Sequence, residues 1–268
     1  MQGLNKTFYN ILSRKLICNW RLPSQFICFA GYDALIKLNR HTGTVDVVRN
    51  ESLKIHWHSN LFIRDTLYSF YGWSLPKLIA YKYENVQWIT ADSVLERQEI
   101  GQTNDGSFDF SLANYQNKAI YVTGGARGGQ IVNRVLALTI ATKTFKLMPA
   151  MNVARAAHGS TSTGNILAVF GGNSHDRSTI SSIEVLSVVQ SNRWEKVEDQ
   201  NQVFTPRSLP SVCAISPSKI IIYGGFVDIR HMLSDVMIFN PCDRSILKVG
   251  DTSLASTCLF GQNVHVAK

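Results

Sequence analysis

The chain has 268 residues, of which 45% are hydrophobic and 17% charged, and its formal net charge is +8 at pH 7. This length is sufficient to bury a substantial core within one domain. No apolar stretch reaches the roughly 20 residues that a membrane-spanning helix needs. The basic residues are scattered rather than clustered with stacking aromatic residues, so neither a membrane span nor nucleic-acid binding is expected.

The N-terminal segment is basic and amphipathic. No acidic residue precedes Asp33, whereas the segment contains Lys6, Arg14, Lys15 and Arg21 beside several apolar residues. A mitochondrial targeting segment has this character, and a solvated leader or a strand of the first structural unit fits the same pattern. We therefore treat residues 1–24 as a basic N-terminal extension, with Leu16–Trp20 as a candidate first strand, and residues 25–268 as one domain.

A short apolar run that ends in glycine recurs five times along the chain. Such a run predicts a buried strand, and the glycine permits a sharp turn out of it. The last glycines of the runs are 41 to 53 residues apart, which indicates a repeated structural unit. The five runs are Phe26–Gly31, Leu67–Gly72, Ile120–Gly125, Leu167–Gly172 and Ile220–Gly225.

Each glycine run belongs to a group of four predicted strands. One strand precedes the run, as in residues 156–162 and 208–216, and two strands follow it. Four short antiparallel strands make a sheet too small to bury its own faces, so the sheets are expected to stack face to face. The two following strands carry pairs of large apolar residues: Leu38 and Val45, Tyr81 and Trp88, Leu138 and Phe145, Leu186 and Trp194, Phe239 and Ile246. We expect Trp88, Phe145 and Trp194 to pack between sheets.

The third to fifth units resemble the kelch repeat, in which four hydrophobic residues and a double glycine precede an aromatic residue and a tryptophan. Glycine pairs stand at 124–125, 171–172 and 224–225, and Phe239, Asn240 and Pro241 stand where that family often has Tyr-Asp-Pro. The first two units depart from the pattern, with Ala30-Gly31 and Tyr71-Gly72 in place of the pair. The resemblance covers residues 25–268 and implies an all-β fold, a kelch-type β-propeller of four-stranded antiparallel blades.

The number of blades is left open between two arrangements. Five repeats are recognisable, and residues 253–268 align with residues 208–223 as the first two strands of a further, partial unit. The ring then has five whole blades and a partial one, or the C-terminal strand closes the first blade. In both arrangements the ends of the chain must meet, because an open ring leaves unpaired strand edges.

Motifs for catalysis or metal binding are scarce. His56 and His58 lie on one face of a predicted strand as half of a metal site, but the sequence places no third ligand beside them. The glycine-rich stretch at residues 124–129 recurs in phase with the other glycine pairs, which favours a turn between strands over a phosphate loop. Nucleophile-elbow, P-loop and zinc-protease motifs are absent from the sequence. We therefore expect no enzymatic activity, no metal and no cofactor.

The cysteines bear on the cellular compartment. There are five, an odd number without CxxC spacing, so a framework of disulfides is not expected and a reducing compartment is favoured. We expect an intracellular protein of the cytoplasm, with mitochondria as the alternative.

The resemblance also implies a binding face. In kelch proteins that capture peptides, the loops after the glycine pairs and the loops before the innermost strands share one face of the ring. The first set here contains Tyr32, Trp73, Arg127, Asn173 and Phe226, and the second contains Arg155 and Arg207. Exposed arginines at these places would favour an acidic protein segment, since guanidinium groups bind carboxylates through paired, charge-assisted hydrogen bonds.

The expected function is therefore a non-catalytic protein–protein interaction module, a scaffold or adaptor with a protein partner that includes an acidic segment. Two alternatives remain open. The chain is a structural subunit of a larger mitochondrial or cytoskeletal assembly, or a kelch-fold enzyme that uses the central pocket of the ring.

Overall fold

A computed structural model describes residues 107–127, 129–199, 201–228 and 230–251, together with seven strands earlier in the chain. The N-terminal extension, the histidines at 56 and 58, and residues 252–268 lie outside the described residues. The strands are β1 (Phe26–Ala30), β2 (Ala34–Asn39), β3 (Val45–Arg49), β4 (Ser59–Ile63), β5 (Thr66–Tyr71), β6 (Lys77–Glu84), β7 (Gln87–Ser93), β8 (Ser107–Phe108), β9 (Ser111–Tyr115), β10 (Ala119–Thr123), β11 (Ala126–Arg127), β12 (Gln130–Ile131), β13 (Val135–Thr139), β14 (Thr144–Met148), β15 (Gly159–Thr163), β16 (Ile166–Phe170), β17 (Ile183–Ser187), β18 (Glu195–Lys196), β19 (Ser211–Ser216), β20 (Lys219–Tyr223), β21 (Phe226–Asp228), β22 (His231–Met232), β23 (Asp235–Phe239) and β24 (Ile246–Asp251).

These strands form five main antiparallel sheets, and the described residues contain no helix. Sheet I has three described strands (β1–β2–β3), and sheets II to V have four each: β4–β5–β6–β7, β9–β10–β13–β14, β15–β16–β17–β18 and β19–β20–β23–β24. Two small sheets, β8–β11–β12 and β21–β22, are inserted next to sheets III and V. The predicted all-β class with four-stranded antiparallel sheets is confirmed, and none of the described sheets closes on itself.

The strand register follows the apolar pattern of the sequence. The predicted apolar pairs Leu138–Phe145 and Phe239–Ile246 stand directly opposite each other on neighbouring strands. In β20, Ile220 and Ile222 are fully buried whereas Ile221 between them is half-buried, because alternate side chains of a strand point to opposite faces. A strand that is apolar on both faces is typical of a sheet covered on both sides.

Sheets II to V pack face to face in chain order. Three apolar cores lie between them: one joins sheets II and III, the next joins III and IV, and the third joins IV and V. Trp194 is 4% exposed and lies in the core between sheets III and IV, where its Nε1 donates to the carbonyl oxygen of Pro149 at 2.8 Å. Phe145 packs against the core between sheets II and III. The expected packing of these two residues between sheets is confirmed, whereas the side chain of Trp88 lies outside the described residues.

The first strands of the sheets lie next to one another. β4 contacts β9, β9 contacts β15, and β15 contacts β19. Sheets II to V therefore begin on the inner side of the stack, and their fourth strands lie at the outer edge. In the part of the chain that the structure describes, no helix has the length and apolarity to cross a lipid bilayer.

Candidate functional site: the glycine rim

The three glycine pairs adopt the same backbone conformation at the ends of β10, β16 and β20. Their φ angles are 57° and 94° at Gly124 and Gly125, 59° and 102° at Gly171 and Gly172, and 60° and 90° at Gly224 and Gly225. Positive φ values of this size are accessible to glycine without steric cost. The pairs therefore turn the chain sharply out of each second strand, as the sequence predicted.

Each glycine pair also lies against the backbone of the next sheet. The N–H group of Gly125 donates to the carbonyl oxygen of Arg155 at 2.8 Å, and Gly172 donates in the same way to Arg207 at 2.8 Å. A Cβ atom on Gly225 would lie 2.5 Å from the carbonyl oxygen of Ser208. The close approach of two backbones is thus a second reason for glycine at these positions.

The residue after each glycine pair is bridged to the segment before a first strand. Ala126 pairs with Phe108, Asn173 forms an isolated bridge with Ala156, and Phe226 forms one with Ser208. The two sets of loops named from the sequence are therefore neighbours at one edge of the stack. We call this edge the glycine rim: it comprises the loops 126–131, 173–180 and 226–232 and the segments 107–110, 152–158 and 204–210.

Arg155 connects the rim to the interior of sheet IV. Its guanidinium donates to the carbonyl oxygen of Gly171 at 2.7 Å and to Oε1 of Glu184 at 2.5 Å. The Glu184 carboxylate also accepts the N–H groups of Asn152 at 2.7 Å and Val153 at 3.1 Å. Burial lowers the pKa of Arg155, and the neighbouring Glu184 charge offsets part of that effect. The pair holds the segment before β15 in place.

Arg207 connects the rim to the interior of sheet V in the same way. It binds Asp235 through both guanidinium nitrogens, at 2.7 and 2.8 Å, and donates to the carbonyl oxygen of Gly224 at 2.9 Å. The guanidinium carbon also lies 5.1 Å from the centre of the Phe204 ring, within the range of a cation–π contact.

The expectation that Arg155 and Arg207 are exposed is wrong. Both side chains are 0% exposed, and each has a buried carboxylate partner on the third strand of its sheet. A buried charge must be paired and hydrogen-bonded, and the glycine carbonyls and carboxylates supply those bonds. Although Nε of Arg155 has no hydrogen-bond partner among the described residues, both side chains are buried, so neither guanidinium is accessible to a partner protein.

Two other arginines of the rim are exposed. Arg177 and Arg230 each stand five residues after a glycine pair, and neither has an ion-pair partner among the described residues. The sequence analysis missed both, although their equal distance from the glycine pairs is visible in the sequence. With Arg127, each of the three loops that follow a described glycine pair contains one arginine.

The aspartates beside these arginines are bound within their own loops. The Asp176 carboxylate accepts from the hydroxyl groups of Ser174 and Ser178, and these bonds lower its pKa to about 2. The Asp228 carboxylate lies 2.6 Å from Nδ1 of His231 and accepts from the backbone N–H group of Arg230 at 2.8 Å, and these two contacts lower its pKa. Their lone pairs are largely occupied, so the arginine groups remain available to an outside ligand.

The other predicted site residues have mixed outcomes. Asn173 and Phe226 are half-buried and lie on the rim as expected. The backbone of Arg127 lies there too, paired with Ser107, whereas its side chain lies outside the described residues. Tyr32 and Trp73 also lie outside the described residues.

One histidine is buried beneath the rim. His158 Nε2 lies 2.8 Å from the hydroxyl oxygen of Thr123, which itself donates to the carbonyl oxygen of Ser111 at 3.2 Å. Burial, and then the positive charge of Arg155, hold the pKa of His158 well below 6.5, so the imidazole is neutral. It therefore acts as a packed polar group between sheets III and IV. Across the described part of the chain, no three metal-binding side chains come together.

Comparison with known proteins leaves the family open. No protein-family model matches the chain, and no curated protein matches it. The resemblance to kelch repeats therefore rests on the chain's own residues.

Proposed function

We propose that this chain is a kelch-type β-propeller that acts as a non-catalytic protein-interaction module and binds an acidic protein segment on its glycine rim. The observation that carries this proposal is the pair of exposed loop arginines, Arg177 and Arg230, whose neighbouring aspartates are bound within their own loops. The contact residues are Arg127, Arg177 and Arg230, with Asn173 and Phe226 beside them. Arg155 and Arg207 position the rim and do not contact the partner.

One face of sheet V packs against sheet IV. The opposite face, here called its second face, supports the continuation of the ring beyond sheet V. Across its first three strands run Cys213, Ile221 and Ile238, each opposite the next. The equivalent positions of sheet IV include Ala168 and Val185, which are buried against sheet V. A face that repeats the apolar character of a covered face is expected to be covered by a further sheet of the same chain.

A charge substitution tests this part of the proposal. Ile238→Asp places a carboxylate on the second face of sheet V, and Leu147→Asp is the control because Leu147 is 66% exposed on the outer strand β14. We expect the first variant to lose about 2 kcal/mol or more of unfolding free energy, because an unpaired charge is buried, and the second to change little. Equal unfolding curves for the two variants would contradict a covered face.

The acidic partner is supported by the balance of charge at the rim. Guanidinium groups are donors only, and they bind carboxylates in pairs of hydrogen bonds. The net charge of +8 further raises the association rate with an acidic segment at low ionic strength. Aromatic residues and arginines also contribute most of the free energy in protein interfaces, and Phe226 stands beside this group.

The binding experiment uses a fluorescent glutamate-rich peptide and the full chain. Arg177→Ala combined with Arg230→Ala removes two rim charges. Arg193→Ala combined with Lys219→Ala removes two exposed charges at the opposite edge, one from the loop after β17 and one from the first residue of β20. Both double variants have the same net charge. We expect the rim variant to bind roughly tenfold or more weakly than the control variant. Equal affinities would mean that the peptide responds only to net charge, and the rim would no longer be the site.

The structural-subunit alternative has one observation in its favour. Leu247 and Val249 on the outer strand β24 are 63% and 58% exposed, and exposed apolar residues on an edge strand favour association. The substitutions Leu247→Lys and Val249→Thr, followed by light scattering of the purified chain and of its native complexes, test this alternative. Loss of a stoichiometric complex in this variant, with the rim variant still assembled, would favour the structural subunit.

A further inference from the structure

The hairpin formed by β21 and β22 closes around the carboxylate of Asp228. One carboxylate oxygen accepts the backbone N–H groups of Arg230 at 2.8 Å and of His231 at 3.0 Å. The other oxygen lies 2.6 Å from Nδ1 of the His231 imidazole. These bonds fix the turn of the hairpin and, through Nδ1, the position of the imidazole ring.

The same bonds determine which nitrogen of the imidazole carries the proton. The side-chain bond to His231 and then the backbone bond from Arg230 lower the pKa of Asp228, so its carboxylate is ionised at neutral pH. An ionised carboxylate only accepts hydrogen bonds, so Nδ1 is the donor. In the neutral ring Nε2 is therefore an acceptor, and it becomes a donor when the ring takes up a second proton.

The Nε2 atom of His231 is available to a ligand. The side chain is 72% exposed, and its bond to Asp228 is the one side-chain bond that the imidazole forms among the described residues. Arg230 directly precedes it in the chain and is also exposed. Two side chains that can donate to a carboxylate thus follow each other at this hairpin, one always charged and one charged only after protonation.

Protonation of His231 changes the net charge of the hairpin. With a neutral imidazole, the ionised groups of residues 226–232 are Asp228 and Arg230, whose charges cancel. β22 contacts β21, and Phe226 is bridged to the segment before β19. The one charged residue of that segment, Arg207, is buried and paired with a carboxylate. The imidazolium therefore gives the hairpin a net positive charge.

From this geometry we infer that His231 is a further contact residue of the glycine rim: its imidazolium donates from Nε2 to a partner carboxylate beside Arg230, so the rim binds its acidic segment more tightly as the pH falls. The inference rests on the proposed function, because the ligand is the same acidic segment. Asp228 orients the ring and does not contact the partner. Glutamate side chains ionise near pH 4.3 and histidine near pH 6.5, so the effect belongs between about pH 8 and about pH 6.

The test measures binding of the fluorescent glutamate-rich peptide to the full chain at about pH 8 and about pH 6, at one ionic strength. We expect the wild type to bind roughly threefold or more tightly at the lower pH, as for one exposed ion pair. His231→Gln cannot take up a proton and should lose most of this gain.

His175→Gln, in the neighbouring rim loop, is the matched control. His175 is exposed, and its imidazole contacts no carboxylate within the described part of the chain. This variant should keep the gain of the wild type. An equal gain in His231→Gln and the wild type, or an equal loss of it in the two histidine variants, would overturn the inference.

A second measurement needs no variant. Nitrogen NMR shifts distinguish a protonated from an unprotonated imidazole nitrogen, and at about pH 8 we expect the proton of His231 on Nδ1. Addition of the peptide at about pH 6 should then shift the Nε2 resonance. A proton on Nε2 at the higher pH, or an Nε2 resonance that does not respond to the peptide, would contradict the assigned contact.

The outcomes separate this inference from the proposed function. Loss of the peptide in the variant that lacks Arg177 and Arg230, with an intact pH gain in His231→Gln, would keep the acidic-segment proposal and remove His231 from the contact. A pH gain that depends on His231, with equal affinities of the arginine variant and its control, would do the reverse.

Discussion

Sheets IV and V fix the glycine rim with buried arginines, whereas sheet III fixes it without one. In sheet III, Ser107 stands where sheets IV and V have Arg155 and Arg207. Arg134 stands where those sheets have Ser182 and Asp235, because each of these three residues accepts a hydrogen bond from the first glycine of its pair. In sheet III, the segment before β9 is held by backbone pairing of β8 with β11, which in turn pairs with β12. The same loop geometry is thus compatible with two different sets of bonds, and the arginine is one solution rather than a requirement of the fold.

Arg207→Ala should cause the largest loss of unfolding free energy and so test the role of the buried arginine most directly. It leaves the buried Asp235 carboxylate unpaired, and removing one partner of a buried ion pair typically costs about 3–5 kcal/mol. Urea unfolding measures the loss, with Arg177→Ala as a control that should stay within about 0.5 kcal/mol of the wild type. The double substitution Arg207→Met and Asp235→Leu should recover much of the stability. A single variant as stable as the wild type would mean that Arg207 does not hold the rim.

Gly225→Val should lower the free energy of unfolding by about 2 kcal/mol or more. The new Cβ would lie 2.5 Å from the carbonyl oxygen of Ser208, at a φ of +90° that branched side chains rarely adopt. Gly164→Val is the matched control, since Gly164 has a φ of +55° and nothing within 4 Å of its Cβ position. If the melting temperature fell equally in both variants, the loss of stability would come from the φ angle alone and not from the contact between sheets.

The buried His158 predicts a loss of stability in acid. Its pKa is lowered in the folded state, so the unfolded chain binds the proton first as the pH falls below about 6.5. The stabilisation is therefore fully present above that pH and decreases progressively as the pH falls below it. His158→Gln should show a flatter dependence of unfolding free energy on pH between 7 and 5. An identical slope in both proteins would mean that the imidazole is protonated in the folded chain.

Ser107→Ala should change the free energy of unfolding least, and it tests whether sheet III depends on a side chain at this position. The segment before β9 is fixed by backbone pairing of Ser107 with Arg127, and alanine retains that pairing. We expect a change within about 0.5 kcal/mol. A loss as large as that of Arg207→Ala would show that a side chain at this position is as important in sheet III as in sheets IV and V.

The strands and turns were predictable because their signals are local. An apolar run followed by two glycines specifies a buried strand and a turn within about six residues, and Gly172 and Gly225 adopt the positive φ values that this pattern requires. The burial of Arg155 was not predictable in the same way, because its partner Glu184 stands 29 residues later. A signal did exist: Glu184 lies within the apolar strand Ile183–Ser187, and a carboxylate in a buried strand requires a cationic partner.

The location of the rim loops was predictable from the sequence, but the availability of their charged side chains was not. The position after each glycine pair correctly placed Asn173 and Phe226 on the rim. Whether Arg177 and Arg230 are available depends on which carboxylates the loops bind internally. That in turn depends on turns such as the one that directs Ser174 and Ser178 to Asp176. Hydrogen bonds of this kind follow from the loop conformation, which the spacing of glycines does not specify.

The backbone bonds from Gly125 to Arg155 and from Gly172 to Arg207 have a consequence for hydrogen exchange. Each arginine segment accepts a bond from the preceding sheet through its carbonyl oxygen and donates to its own glycine pair through its guanidinium. Sheet IV therefore cannot detach without breaking backbone bonds to both sheet III and sheet V, so local opening is suppressed in favour of a larger cooperative unit. The amides of Gly125 and Gly172 should therefore exchange with the same free energy of opening and the same dependence on denaturant, although they lie in different sheets.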